Sequence, residues 1–215
     1  DLIETERRDA LLARYRSALD NGFAEVHRRF EDDHDGALAV RGNCYLIDQL
    51  IRTIYEIAAD YIYPAANPTA TDQLCIVAYG GYGRGELAPK SDVDLLFVLP
   101  YKPTPRSEQI IEHTLYMLWD LGLKVGHATR SIDECLRQAK ADITIRTGLL
   151  EARYIWGEQK LFLELRHRFW REVAAGSESE YVEAKLNERD ERHRKMGDSR
   201  YVLEPNIKEG KGGIR

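Results

Sequence analysis

The chain has 215 residues, of which 31% are charged and 43% hydrophobic, and its formal net charge is −5. That length accommodates one large domain or two small ones. The acidic balance argues against a general nucleic-acid binder, which normally presents a basic face. No apolar run approaches the ~20 residues that a membrane-spanning helix needs, and the start lacks the basic and apolar regions of a signal peptide.

The cysteines are the first clue to the cellular compartment. Cys44, Cys75 and Cys135 lie far apart, and none belongs to a Cys-x-x-Cys pair. Such a set is typical of free thiols and not of disulfides or a zinc site. We therefore expect free thiols in a reducing environment, which predicts a cytoplasmic protein.

The first third of the sequence has the periodicity of helices. Apolar residues recur at three- and four-residue steps, which predicts one helix up to about Phe30 and a second over about 42–63. The charged segment 31–36 separates them, and the turn-rich segment 64–73 follows the second. We expect residues 1–66 to form an N-terminal helical segment.

The middle of the sequence alternates strands with helices. The predicted order is strand 74–79, strand 95–99, helix 107–121, strand 123–129 and helix 131–139. The first two strands are continuous apolar runs, as expected for strands covered on both faces. We expect residues 67–140 to form a small mixed-sheet core.

Beyond this core the pattern predicts helix. Helices are expected over 142–154, 158–174 and 178–196, which gives a second helical segment over 141–196. Residues 197–215 form a glycine-rich tail. The predicted fold class is therefore α/β (α+β), with the sheet flanked by helical segments on both sides in sequence.

A glycine-rich turn followed by two aspartates carries most of the functional information. Gly80 and Gly81 follow the first predicted strand, and Asp92 and Asp94 lead the second. Residues two apart on a strand point to the same face, so both carboxylates can reach one point. Mg²⁺ prefers a few carboxylate oxygens plus substrate phosphates, and glycines let backbone N–H groups approach those phosphates. We predict a magnesium–nucleotide site.

This order resembles the nucleotidyltransferase superfamily related to DNA polymerase β, whose pattern is a Gly-Gly or Gly-Ser turn followed by Asp-x-Asp. Further segments resemble the bacterial PII uridylyltransferase/uridylyl-removing enzymes. They are GGYGRGEL at 80–87, KVGH at 124–127, ECL at 134–136, and LEPNIK at 203–208 with the glycines at 212 and 213. The likeness runs from about Leu74 to Arg215.

The resemblance implies a transferase that moves UMP from UTP to a tyrosine of the PII nitrogen-signalling protein, with Mg²⁺ and release of pyrophosphate. Asp92 and Asp94 then bind the metal and are catalytic, and Gly80 and Gly81 contact the phosphates. Two alternatives stay open. One is a nucleotidyltransferase that adenylylates another protein or a small molecule, and the other is a degenerate sensor that binds nucleotide without turnover.

Two side chains near the motif are further candidate nucleotide-binding residues. Arg84 either offsets phosphate charge or pairs with Glu86 to brace the loop. Ser91 either donates its hydroxyl to a phosphate or shapes the turn. The residue types fit both roles in each case.

The superfamily's third acidic residue, usually on a neighbouring strand, is not found on the strand where it is expected. The predicted strand 123–129 contains no carboxylate. His127 is the only side chain on it that can act as a base near neutral pH. The alternative for His127 is a structural histidine, so the sequence leaves the general base and any second metal undefined.

The C-terminal tail is the last candidate. Residues 185–215 contain nine Lys or Arg against six Asp or Glu, a local net charge of +3 in an acidic chain. Because the tail resembles the family motif, Lys208 and Lys211 are predicted nucleotide-binding residues. A flexible, solvated loop is the alternative.

The resembling family also removes UMP through a metal-dependent hydrolase domain with a His-Asp pair, and it senses glutamine through C-terminal domains. His113, His127, His167 and His193 are scattered, and none is followed by Asp. We therefore expect neither activity from this stretch of sequence.

Overall fold

The computed structural model describes residues 2–67 and 69–195. Its eight α-helices are α1 (Leu2–Asp33), α2 (Gly36–Ile57), α3 (Gly80–Gly83), α4 (Pro105–Asp120), α5 (Ile132–Ala141), α6 (Ile143–Leu150), α7 (Gln159–Phe169) and α8 (Glu178–Lys195). Its strands are β1 (Cys75–Ala78), β2 (Val93–Leu99), β3 (Val125–Ser131) and β4 (Arg153–Gly157). Short π-helical turns extend α2 and α7, at Ala58–Ile62 and Trp170–Ala174.

Within this described part, the strands form one mixed sheet in the order β3-β2-β1-β4. β1 is antiparallel to β2 and to β4, whereas β2 and β3 are parallel. The predicted α/β fold with a mixed sheet is confirmed. Because β2 pairs on both edges, its position is fixed from two sides.

Helices cover both faces of the sheet and create two cores. On one face Leu95, Phe97 and Leu99 join the core that contains α2 and α4. On the other face Leu96 and Val98 join the core that contains α5 and α7. This alternation explains why β2 reads as a continuous apolar run. Among the described helices, none is both long and apolar enough to cross a membrane.

Capping side chains define where the helices begin. Asp35 opens α2 by accepting hydrogen bonds from the backbone N–H groups of Ala37 and Leu38. Asp35 follows His34 in the single His-Asp dipeptide of the sequence. Its carboxylate serves as a helix cap, which is a structural role. A capping box opens α5, because the Glu134 N–H donates to Ser131 Oγ and the Ser131 N–H donates to Glu134 Oε2.

The prediction of helix over 142–154 was wrong at its C-terminal end. α6 ends at Leu150, and β4 pairs antiparallel with β1. A five-residue strand carries too little periodicity to identify itself, and its pairing partner lies about 75 residues earlier in the sequence. The sheet therefore extends past the predicted core boundary at 140, and the division of the chain at 66, 140 and 196 stays a prediction.

A largely enclosed ionic cluster joins α2 to the segment after β1. Tyr82 Oη, in α3, donates to Asp48 Oδ1 at 2.5 Å. The guanidinium of Arg153, in β4, donates to both oxygens of Asp48 at 2.6 and 3.1 Å. It also donates to the Tyr82 carbonyl oxygen at 3.3 Å. The cluster therefore fixes α3 relative to both α2 and the edge of the sheet.

α2 also holds the loop that follows α3. The buried Asn43 side chain donates to the Leu87 carbonyl oxygen at 3.0 Å, and the Leu87 N–H donates to the Val40 carbonyl oxygen at 3.3 Å. Leu87 itself is buried. Together with Asp48, these contacts make α2 the support on which the glycine-rich segment rests.

We expect Asp48→Asn to lower the free energy of unfolding by about 2 kcal/mol or more, because Arg153 loses its carboxylate partner. Urea titration at constant pH measures this as a fall in the midpoint with an unchanged slope.

Asp32→Asn is the matched control. Asp32 pairs with Arg28 on the exposed surface of α1, so the same charge removal is expected to cost only about 0.5 kcal/mol or less. Equal losses in the two variants would contradict the structural role of Asp48.

Candidate active site

The glycine-rich turn begins the site. β1 ends at Ala78, and the four-residue helix α3 starts two residues later. Tyr79, its N-cap residue, makes no side-chain capping bond. The first N–H groups of a helix have no partner within that helix. The turn therefore presents backbone donors next to the start of β2.

The Asp94 carboxylate fits between two glycines. A Cβ atom on Gly80 would lie 3.1 Å from Asp94 Oδ2, and a Cβ atom on Gly126 would lie 2.6 Å from Asp94 Oδ1. Gly80 also has φ of +62°, which L side chains rarely adopt. Gly126 is the β3 residue paired with Asp94. Both glycines leave space for this one side chain.

The two aspartates interact with each other and with no cation among the residues that the structure describes. Burial raises the pKa of Asp94, and the negative charge of Asp92 raises it further. Neither carboxylate forms a hydrogen bond or an ion pair with another residue in the described ranges 2–67 and 69–195. An exposed and a half-buried carboxylate without a counter-charge form a donor set that fits Mg²⁺.

The structure brings no third carboxylate to this pair. Among the described residues, no group of three His, Cys, Asp or Glu side chains could hold a metal. His127 lies on β3 and points to the face of the sheet opposite to that of Asp94. Its ring centroid is 5.8 Å from that of Trp119. The geometry therefore favours the structural alternative for His127 and not a role as base.

Arg84 makes the bracing contacts that were one of its two predicted roles. Its Nε lies 3.4 Å from Glu86 Oε2, and its Nη1 lies 2.9 Å from Glu151 Oε1. Glu151 directly follows α6 and is a partner that the sequence did not indicate. About half of the Arg84 side chain is exposed, and its contact with phosphate stays a prediction.

Ser91 lies away from the aspartate face. It lines a largely apolar cavity of about 620 Å³ between α1, α2 and the start of β2. Val93, which points to the opposite face from Asp94, lines the same cavity. Both predicted roles of Ser91 stay predictions. Lys208 and Lys211 lie outside the described residues, so their predicted role stays a prediction.

The residues that position the site were not identified from sequence. Asp48 and Arg153 fix α3, and Gly126 makes room for Asp94. Gly126 had a detectable signal, since an isolated glycine inside a strand indicates close approach of another group. Asp48 and Arg153 had none, because their contact joins residues 105 positions apart.

Two models of known protein families match parts of this chain. A model described as a nucleotidyltransferase domain matches residues 73–150, which contain β1, α3, β2 and β3. A second model, described as GlnD PII-uridylyltransferase, matches residues 180–215. The aspartate pair and both glycines beside it lie within the first match.

Curated relatives are similar over nearly the whole chain. A protein of Azospirillum brasilense is 62% identical over 208 residues, one of Rhodospirillum rubrum is 58% identical over 211, and one of Novosphingobium aromaticivorans is 54% identical over 209. These matches cover 97%, 98% and 97% of this chain but 22%, 22% and 23% of the relatives.

All three relatives are named bifunctional uridylyltransferase/uridylyl-removing enzyme. The chain spans about a fifth of their length. Two findings agree with the arrangement of aspartates and glycines in the site. They are the sequence identity with these relatives and the match to the nucleotidyltransferase model. The chain therefore belongs to the family of bifunctional uridylyltransferase/uridylyl-removing enzymes and contains their nucleotidyltransferase domain.

Proposed function

We propose that this chain transfers UMP from UTP to a tyrosine of the PII nitrogen-regulatory protein and releases pyrophosphate. The observation that carries the proposal is the aspartate pair, which has no counter-charge within the described part of the chain and stands beside a turn with backbone donors. The names of the relatives supply the uridylyl group, and the description of the second family model supplies the acceptor protein. UTP as substrate implies a reaction in the cytoplasm, with which the free, buried cysteines are compatible.

The proposed reaction is an in-line displacement. The tyrosine hydroxyl of PII loses its proton to solvent as its oxygen attacks the α-phosphorus of UTP. The bond from that phosphorus to the bridging oxygen breaks, and pyrophosphate leaves. The chain contributes position and charge more than covalent chemistry. The turn amides at Gly80 and Gly81 hydrogen-bond to phosphate oxygens, and Asp92 and Asp94 hold the cation. Mg²⁺, when bound, neutralises negative charge on the phosphates.

A specific observation favours one second candidate, a sensor that binds nucleotide without turnover. The described part of the chain offers two carboxylates and no third. Such a sensor keeps the turn and the cation site but releases no pyrophosphate. Binding and turnover therefore have to be measured on the same preparation.

We expect the chain to release pyrophosphate from UTP in the presence of Mg²⁺ and PII, and to attach UMP to PII. A coupled pyrophosphate assay together with mass spectrometry of PII measures both products.

ATP with the same PII protein, and UTP with PII in which the acceptor tyrosine is replaced by phenylalanine, are the controls. Faster release with ATP would support an adenylylating enzyme. Tight UTP binding with no release would support the sensor.

We expect Asp92→Asn and Asp94→Asn each to lower the turnover rate by about a hundredfold or more, because each removes a negatively charged cation ligand. Mg²⁺ together with UTP is expected to stabilise the wild type against thermal unfolding more than it stabilises either variant. Wild-type turnover in either variant at saturating Mg²⁺ would overturn the metal assignment.

Asp94→Asn is also expected to raise stability at neutral pH without Mg²⁺. The raised pKa of Asp94 means that the folded protein holds the proton more tightly than the unfolded chain. Its ionised form therefore destabilises the fold, and the penalty disappears as pH falls below the unfolded pKa. Urea titrations at several pH values measure the difference, and a variant less stable than wild type at neutral pH would contradict this.

We expect Gly126→Ala to lower turnover strongly, because its Cβ atom would lie 2.6 Å from Asp94 Oδ1 and force that carboxylate to move. Gly36→Ala is the matched control, since a Cβ atom there meets nothing within 4 Å. Steady-state turnover of both variants, with melting curves, makes the comparison. Equal activities would show that Asp94 does not need this space.

A further inference from the structure

One arginine shares the face of the sheet on which Asp94 lies. The parallel register pairs Asp94 with Gly126, Leu96 with Ala128 and Val98 with Arg130. Side chains two apart on a strand point to the same face. Leu96, Val98 and Ala128 all contact the core on the α5 and α7 side. Arg130 therefore points to that side, as Asp94 does and as His127 does not.

The surroundings of Tyr79 connect Arg130 to the site. The Tyr79 side chain packs against the same core, and its ring limits the space at Gly148. Burial raises the pKa of Tyr79, the Asp94 carboxylate raises it further, and the Arg130 guanidinium lowers it. The Asp94 carboxylate and the Arg130 guanidinium therefore both lie close enough to the Tyr79 phenol to act on its pKa. Tyr79 directly follows the last residue of β1.

Arg130 differs from the other arginines near the site because no residue of the described ranges serves as its anionic partner. Arg84 pairs with Glu86 and Glu151, and Arg153 pairs with Asp48. The guanidinium of Arg130 forms no hydrogen bond, ion pair or ring contact with any residue in the described ranges. Arg130 is half-buried. A partly desolvated cation without a partner is costly unless an anion meets it.

We propose that Arg130 binds the phosphate chain of the nucleotide, on the same face of the sheet as the cation held by Asp92 and Asp94. About 13 Å of strand separates Gly126 from Arg130, a gap that the long arginine side chain and an extended phosphate chain bridge together. The planar guanidinium can donate two parallel hydrogen bonds to one phosphate group. This role rests on the proposed function, because it assigns a further residue to the same nucleotide site.

The test measures binding of inorganic pyrophosphate and of UTP, each with Mg²⁺, by isothermal titration calorimetry at low and high salt. The variants are Arg130→Gln, which removes the charge, and Arg130→Lys, which keeps it without the planar fork. Arg137→Gln is the matched control, because Arg137 is an exposed arginine of α5 whose nearest partner is Glu134. If Arg130→Gln fails to fold in a melting experiment, Arg130→Met replaces it, since methionine keeps the aliphatic stem.

We expect Arg130→Gln to weaken both ligands about tenfold or more and to make binding less sensitive to salt. Arg130→Lys is expected to give an intermediate affinity, and Arg137→Gln the wild-type affinity. Unchanged pyrophosphate affinity in Arg130→Gln overturns the inference, as does a wild type that binds no pyrophosphate.

Turnover separates this inference from the proposed function. A wild type that uridylylates PII, with unchanged ligand affinity in Arg130→Gln, refutes the role of Arg130 alone. A wild type that binds pyrophosphate through Arg130 but transfers no UMP refutes the proposed function and leaves the phosphate site standing.

Discussion

The position of the glycine-rich turn depends on Asp48. Its carboxylate accepts from the Tyr82 hydroxyl and from both terminal nitrogens of the Arg153 guanidinium, so one side chain joins α2, α3 and β4. Its Arg153 partner is about two-thirds shielded from solvent, where an unpaired charge is costly. The three elements therefore hold one arrangement. That rigidity keeps the turn amides and the Asp94 carboxylate within a fixed distance of each other.

The charges of Asp92 and Asp94 lower the stability of the folded protein, and the apolar cores compensate for this loss. Asp94 is half-buried and close to Asp92, and no cation of the described residues pairs with it, so its ionised form is unfavourable. A bound cation removes this repulsion, which means that the same charges that destabilise the protein alone favour metal and nucleotide binding. The two apolar cores that enclose β2 on both faces provide the stability that makes this arrangement sustainable.

The sequence predicted most of the fold because most of its signals are local. Helical periodicity and continuous apolar runs located most of the long helices and β1 to β3 to within a few residues. α2 is the exception, because it begins at Gly36, six residues before its predicted start. β4 was missed because its five residues became a strand only by pairing with β1, far away in the sequence. The local conformational preference of a short segment is overridden when a buried strand such as β1 has an unpaired edge with which the segment can pair.

For the site, the sequence by itself determined the aspartate pair and the glycine turn, because residues two apart on a strand share a face whatever the surroundings. Tertiary structure alone decided which other groups face that pair. The parallel register of β2 and β3 placed Gly126 and Arg130 on the Asp94 side and His127 against Trp119 on the other. Register between strands depends on packing of whole faces, and a shift by one residue reverses every side chain.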